Sequence, residues 1–132
     1  MNKLVDTNIL VRIMTNDIAD KATEAIEQIE SHSPGELRVD DVVLVELFFV
    51  LEHHAKYRFK RETIAELFRA IVLPTPQFKF GEFTTSAFEI FATHPELDYV
   101  DCLLAAKADS LGFGIMTFDQ ELNKSFSNLN RK

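Results

Sequence analysis

The spacing of apolar and polar positions predicts strands that alternate with helices along the whole chain. Four short apolar runs predict strands at residues 2–6, 37–39, 77–80 and 114–118, and the first of them is expected to be buried. Between these runs, apolar residues recur about every three to four positions, which is typical of helices with one buried face. They predict a short helix that begins at Thr7 or Asn8, and further helices at 20–31, 41–55, 60–72, 82–93 and 99–111.

This alternation favours an α/β fold with a central parallel sheet that helices cover on both faces. Residues 41–55 are ambiguous, because their β-branched apolar run could also form a strand. The length of the run and a capping position at Asp40 or Asp41 favour the helix. In the helix at 20–31, Ile26 is expected to face the core. The tail from residue 119 is predicted to add one helical turn followed by loose residues.

Length and composition place further bounds on the chain. Its 132 residues, 46% of them hydrophobic, suffice for a normal core, so residues 1–132 are predicted to form a single domain. The longest apolar run, 42–51, is interrupted by Glu46 and is too short to span a bilayer, which predicts no membrane association. A single cysteine, Cys102, excludes an intrachain disulfide. Because a signal-peptide pattern is also absent, we expect a cytoplasmic protein.

The formal net charge of −7 argues against tight, non-specific binding of nucleic acid through a basic surface. A nucleic acid substrate remains compatible with this charge, because bound metal could neutralise several acids and basic residues could line one face. The acidic balance also suits a basic protein partner. One basic run, residues 56–61, carries interleaved aromatic residues and could contact RNA or be a solvated loop.

Five acidic residues lie among apolar residues, where a carboxylate is normally costly. They are Asp6, Glu46, Asp98, Asp101 and Asp119. Asp6 and Asp119 follow predicted strands, so both are expected at the carboxyl edge of the sheet, where open α/β folds bind ligands. Asp98 and Asp101 are three residues apart and share one helix face. A shared divalent cation is the simplest partner for all five.

Carboxylate oxygens suit Mg²⁺ or Mn²⁺, and two such ions ~3.5–4 Å apart can activate water and stabilise the leaving oxygen of a phosphodiester. Each acid also has a structural interpretation. Asp6, Asp98 and Asp119 could cap helices. Glu46 could be a buried acid that pairs with Arg12 or a lysine. One metal site explains the five acids together, whereas the structural interpretations need a separate reason for each.

Four segments in order give the chain a resemblance to a known family. They are Val5-Asp6-Thr7-Asn8-Ile9-Leu10-Val11-Arg12, then Val43 to Leu47 with Glu46, then Asp98 to Ala106, then Thr117-Phe118-Asp119. The chain resembles the PIN-domain nucleases, especially the VapC-type toxins of bacterial and archaeal toxin–antitoxin pairs, over essentially its whole length. Each motif alone is weak, and the specificity comes from the four together at these spacings.

The resemblance implies a three-layer α/β/α fold and Mg²⁺- or Mn²⁺-dependent hydrolysis of RNA phosphodiester bonds. It implies that catalysis and metal binding depend on an acidic quartet, Asp6, Glu46, Asp101 and Asp119. Asp98 matches an acid that supports the metal site. The polar positions expected to orient the carboxylates are Thr7, Asn8 and Thr117. Arg12 matches a basic position that could contact phosphate.

The resemblance also implies an RNA substrate, a VapB-like antitoxin as protein partner, and a homodimer. The main alternative is a non-catalytic PIN-like module that binds RNA or protein. A phospho-acceptor or phosphatase domain fits less well, because Asn8 stands where that class needs a second aspartate. The chain has no glycine-rich phosphate loop, which excludes a Walker-type nucleotide binder.

Overall fold

The structure is a computed structural model that describes the backbone of residues 1–129 and the side chains of residues 1–127. The chain divides into two compact units, Met1–Gly81 and Glu82–Lys132. That residues 1–132 form one domain stays a prediction. None of the helices within residues 1–129 is long and apolar enough to cross a membrane.

The first unit alternates strands and helices in the predicted order. Its elements are β1 (Lys3–Leu4), α1 (Thr7–Thr15), α2 (Ala19–Glu30), β2 (Leu37–Val39), α3 (Asp41–His53), α4 (Arg61–Leu67), a π-helical segment (Phe68–Val72) and β3 (Phe78–Phe80). Parallel strands need a crossover connection, and helices provide both crossovers here. The predicted α/β fold, with a parallel sheet flanked by helices, is therefore confirmed.

The sheet has the strand order β1-β2-β3, with both pairs parallel. Lys3 lies opposite Leu37, and Leu37 lies opposite Phe78. Among the strands of the first unit, β1 pairs on one side only, and its Leu4 side chain is 71% exposed. The prediction of a buried strand over 2–6 is therefore wrong in length and burial, because an edge strand has less of its surface covered. Val5, the residue after β1, is buried.

Helix α3 confirms the helical prediction for the ambiguous segment. Asp40 precedes the helix in an extended conformation, as a residue at this boundary normally does. The residues that α3 buries recur at three- and four-residue spacing, and they are Leu44, Leu47, Phe48 and Leu51. Helix α3 packs against α1 and α4. The Phe48 ring meets the Phe68 ring edge-on, with centroids 5.0 Å apart.

Two details of the first unit differ from expectation. The predicted helix at 60–72 changes its winding, since the Leu73 N–H donates to the Phe68 carbonyl oxygen, five residues back, at 3.0 Å. Ile26 of α2 is 45% exposed, which contradicts its expected place in the core. Ala22, Ala25 and Ile29 form the buried stripe of α2, and Ile26 lies beside that stripe.

The second unit consists of helices in the residues that the structure describes. They are α5 (Thr84–Thr93), α6 (Tyr99–Leu111) and α7 (Gln120–Leu129). Helices α5 and α6 pack along their length, and the Phe91 ring meets the Tyr99 ring edge-on at 5.8 Å. Ala105, Ala108 and Phe126 form a buried cluster that joins α6 to α7. The small alanine side chains allow the close approach of the neighbouring helix.

The predicted fourth strand at 114–118 is wrong. Residues 113–117 run without regular secondary structure, and they pair with no strand in the described part of the chain. Burial along the segment does alternate, with Ile115 half-buried and Met116 fully exposed. Alternation shows which side chains can be covered, but a strand also needs a neighbour that completes its backbone hydrogen bonds.

The last helix is also longer than predicted. In place of one turn followed by loose residues, α7 runs from Gln120 to Leu129. Leu122 and Phe126, four residues apart, are both buried, and the Ser125 hydroxyl donates to Glu96 Oε1 at 3.2 Å. These apolar positions form a helical stripe that polar neighbours obscured in the sequence.

Helix α6 ends at Gly112, as predicted. The glycine has a φ of 70°, in the left-handed region, and the Phe113 N–H donates to the Ala108 carbonyl oxygen at 2.8 Å. This six-to-one hydrogen bond with a left-handed glycine is the Schellman arrangement, which satisfies carbonyl groups that the helix leaves free.

Gly112→Ala is expected to lower the free energy of unfolding by about 1 kcal/mol, because a left-handed φ strains any residue with a Cβ. A Cβ at this position would meet no atom within 4 Å, so the cost comes from the backbone alone. Gly114→Ala is the matched control, since its surroundings are equally open and its φ is not positive. Equilibrium urea unfolding measures both variants, and equal effects would contradict this assignment.

Candidate functional site

Three of the five singled-out acids lie together in the second unit. Asp98 caps α6, and its Oδ1 accepts a hydrogen bond from the Asp101 N–H at 2.9 Å. Asp119 caps α7, and its Oδ1 accepts from the N–H groups of Glu121 and Leu122 at 2.9 and 3.2 Å. Thr117 Oγ1 accepts from the Asp119 N–H at 2.9 Å, which fixes the approach to α7. Backbone hydrogen bonds thus hold Asp98 and Asp119 in place.

Asp101, in the first turn of α6, lies within the electrostatic influence of both caps. Burial first, and then the negative charges of Asp98 and Asp119, together raise the pKa of the Asp101 carboxyl to about 6. A like charge nearby and partial desolvation both disfavour the ionised form. The second unit therefore contains a set of mutually repelling carboxylates, centred on Asp101.

The other two acids lie in the first unit. Asp6 caps α1, since its Oδ1 accepts from the Thr7 N–H at 2.9 Å. Glu46 lies within α3, and its side chain is exposed. The structural interpretation of Glu46 as a buried, paired acid is therefore wrong, and Arg12 pairs with another acid, Asp17. Helices α1 and α3 pack against each other, so the elements that carry Asp6 and Glu46 are neighbours.

The donor chemistry of the second unit fits a divalent cation. Asp98, Asp101 and Asp119 offer hard carboxylate oxygens, and a cation among them would relieve the repulsion that raises the pKa of Asp101. Among the described side chains, no group of three Asp, Glu, His or Cys residues is placed so that it could hold a metal ion. A metal ion at these acids therefore stays a prediction, which rests on the chemistry of the donor groups.

Arg12 belongs to a polar network at the C-terminal end of α1. The helix ends at Asn16, whose φ of 49° turns the chain so that Asp17 faces back toward Arg12. Arg12 Nη1 lies 3.1 Å from Asp17 Oδ1 and 3.3 Å from Oδ2. Arg12 also lines a cleft of about 280 Å³ between α1 and α2, together with Asn8 and Lys21.

Sequence reasoning missed Asp17 as an organising residue. Its carboxylate also accepts from the Tyr57 hydroxyl at 2.9 Å, across forty positions of sequence, and pairs with Lys56 Nζ at 2.9 Å. These interactions hold the pKa of the Asp17 carboxyl well below its usual range, and the hydrogen bond from Lys56 is the largest cause. The spacing of Arg12 and Asp17 carried no signal, because their contact depends on the left-handed turn at Asn16.

The comparison with protein families agrees with this fold. The model of the PIN domain matches residues 3–125, which is most of the chain. The chain therefore belongs to the PIN-domain family, whose members are generally metal-dependent nucleases. The predicted PIN-domain family is thereby confirmed, and the VapC type stays a prediction. No curated protein and no solved structure matched the chain.

Asp101→Asn is expected to stabilise the protein above about pH 6 and to have little effect near pH 4. The folded pKa of Asp101, about 6, exceeds the reference value of 3.8, so the folded state holds this proton more tightly than the unfolded state. Stability from the bound proton is complete below the reference value and is lost as pH rises through the folded pKa. The gain near pH 8 should be about 1 kcal/mol, because solvent screens a half-exposed group.

Urea unfolding across this pH range measures the effect. Asp109→Asn, an exposed position on the same helix, is the control and should show no comparable pH-dependent gain. A gain for Asp101→Asn that did not grow between about pH 4 and pH 8 would disprove the electrostatic explanation.

Proposed function

We propose that this protein is the ribonuclease toxin of a toxin–antitoxin pair, of the VapC type, and hydrolyses RNA phosphodiester bonds with Mg²⁺ or Mn²⁺. Membership of the PIN-domain family over residues 3–125 is the single observation that carries this proposal. The raised pKa of Asp101 beside Asp98 and Asp119 supports it, because carboxylates with perturbed pKa values often lie at functional sites.

In the proposed site, Asp6 and Asp101 are the central metal ligands. Glu46 and Asp119 complete the ligand set directly or through water, and Asp98 supports it. Held by these carboxylates, Mg²⁺ or Mn²⁺ would supply activation of the attacking water and stabilisation of charge on the leaving oxygen of the phosphodiester. The support for this assignment is the order and spacing of the motifs, together with the chemistry of carboxylate oxygens.

The chain's own residues contribute orientation. In Asp6, Asp98 and Asp119, one carboxylate oxygen accepts a hydrogen bond from a backbone N–H, which leaves the second oxygen available as a ligand. In the proposal, the Thr7 backbone and the Thr117 hydroxyl limit the movement of Asp6 and Asp119 by these same hydrogen bonds. Asn8 and Arg12 line the neighbouring cleft of the first unit, where Arg12 could contact phosphate.

Asp6→Asn and Asp101→Asn are each expected to lower Mn²⁺-dependent cleavage of single-stranded RNA by about a hundredfold or more, because each removes a charged metal ligand. The asparagine side chain still accepts a backbone hydrogen bond, so both variants should fold. Asp109→Asn is the control and should cleave at the rate of the natural chain. Unchanged cleavage by either active-site variant would refute the proposed roles.

A non-catalytic PIN-like module remains the alternative, and Mn²⁺ titration separates it from the enzyme. The enzyme should cleave RNA only with metal, and metal should raise its melting temperature, because a ligand that binds only the folded state stabilises it. The same stabilisation should be smaller in Asp101→Asn. A module would bind RNA without any metal-dependent cleavage.

We further propose a VapB-like antitoxin as partner and a homodimer as the working assembly. Support comes from the net charge of −7, which suits a basic partner, and from an exposed apolar stripe on α6. The stripe consists of Val100, Leu104 and Leu111, each about half exposed. Light scattering at micromolar concentration should give twice the chain mass, and a monomer alone would contradict the dimer.

A further inference from the structure

A basic loop connects α3 to α4 in the first unit. We define the basic loop as residues 54–60, which contain Lys56, Arg58 and Lys60. The neighbouring Arg61 is different, because it is mostly buried and its Nε donates to Glu52 Oε2 at 2.7 Å. Arg58 and Lys60 are exposed, and neither forms an ion pair with a residue in the described part of the chain.

Asp17 fastens this loop to the end of α1. Its carboxylate pairs with Lys56 Nζ and with Arg12 Nη1, at 2.9 and 3.1 Å. One negative charge is thus shared by two positive charges, and the group keeps a net charge of about +1. The Asp17 hydrogen bond is the largest cause that raises the pKa of Lys56, whereas the nearby charge of Arg12 acts in the opposite direction. The two cations are therefore held side by side.

The backbone of the basic loop is tightly fixed. Arg58 has a φ of 46°, a left-handed conformation that is uncommon for a residue with a side chain. Backbone hydrogen bonds hold the conformation: the Arg58 N–H donates to the His54 carbonyl oxygen, and the Phe59 N–H donates to the Leu51 carbonyl oxygen at 2.8 Å. The Tyr57 and Phe59 rings meet edge-on, with centroids 5.8 Å apart. Strained backbone that is held this firmly often serves function.

Asp17 links the basic loop to Arg12, on the same helix that a proposed catalytic acid, Asp6, caps. Arg12 follows Asp6 by six residues along α1, which corresponds to about 9 Å along the helix axis. A polyanion that reaches Asp6 can therefore extend along α1 to Arg12, Lys56 and the exposed cations beyond them. A positive surface beside an acidic site also offsets the repulsion that a net charge of −7 exerts on such a ligand.

We propose that the basic loop, together with Arg12, binds the phosphodiester backbone of the RNA substrate. Asp17 is the positioning residue, because it holds the loop beside Arg12. The inference rests on the proposed ribonuclease function, and it names the surface that receives the substrate. RNA is favoured over an acidic protein because arginine and lysine beside aromatic rings are the combination that binds single-stranded nucleic acid.

The test compares two triple variants that lose the same charge. Lys56→Gln, Arg58→Gln and Lys60→Gln are combined in the loop variant. Arg38→Gln, Lys79→Gln and Lys124→Gln are combined in the control variant, since all three positions are exposed and lie on β2, β3 and α7. Binding of a fluorescein-labelled single-stranded RNA is measured by anisotropy, in EDTA so that no cleavage occurs, over a range of KCl concentrations.

The loop variant should bind RNA about tenfold more weakly at low salt, and the slope of log K against log [KCl] should fall by about 2, since each lost phosphate contact on a single strand removes ~0.7. The control variant should lose much less affinity. With Mn²⁺ present, the loop variant should show a raised KM and a nearly unchanged kcat. Equal losses in the two variants, or no loss in the loop variant, would overturn the proposal.

Two further outcomes separate this proposal from the ribonuclease assignment. Binding that depends on the loop, without any metal-dependent cleavage, would refute the enzyme and leave the RNA surface standing. Metal-dependent cleavage with an unchanged KM in the loop variant would refute the surface and leave the enzyme standing. Polyglutamate of equal length serves as competitor, and competition as strong as that of unlabelled RNA would overturn the choice of RNA in favour of an acidic protein.

Discussion

Repulsion between carboxylates that the backbone holds in place is the constraint on which the candidate site of this protein depends. Asp98 and Asp119 each accept backbone hydrogen bonds at the start of a helix, so neither can swing away from Asp101 without leaving N–H groups free. The fold therefore maintains a negative potential that it does not neutralise itself. Such a site costs stability in the bare protein, and under the proposed function a bound cation would restore that stability.

The sequence predicted the parts of the fold that depend on local pattern. The helix at 41–55 and the glycine stop at Gly112 are confirmed, because helix periodicity and a left-handed end are properties of consecutive residues. The strand at 114–118 failed because a strand is defined by its neighbour, and a neighbour cannot be read from the segment itself. The length of α7 was missed for a related reason, since Leu122 and Phe126 are buried against a core that other helices supply.

For the candidate site, the sequence identified the acids but not how they are held. The shared site predicted for the five acids placed Asp98, Asp101 and Asp119 together, and the structure brings these three within electrostatic influence of one another. Asp17 was invisible in the sequence, because a left-handed Asn16 and a distant Tyr57 create its surroundings. The network around Asp17 also shows that a chain of net negative charge can keep its positive and negative groups apart. Cations lie at the C-terminal end of α1, and an acid caps its N-terminal end.

The double use of aspartate as helix cap and proposed metal ligand has a consequence for how this family can change over time. Asparagine caps a helix about as well as aspartate does, but it brings no negative charge. Aspartate and asparagine codons differ by a single base, so at Asp6, Asp98 and Asp119 one point mutation leads to a chain that folds normally and has lost a charged ligand. Descendants without activity can therefore persist as intact proteins, and can keep binding the same partners, long after their chemistry is gone.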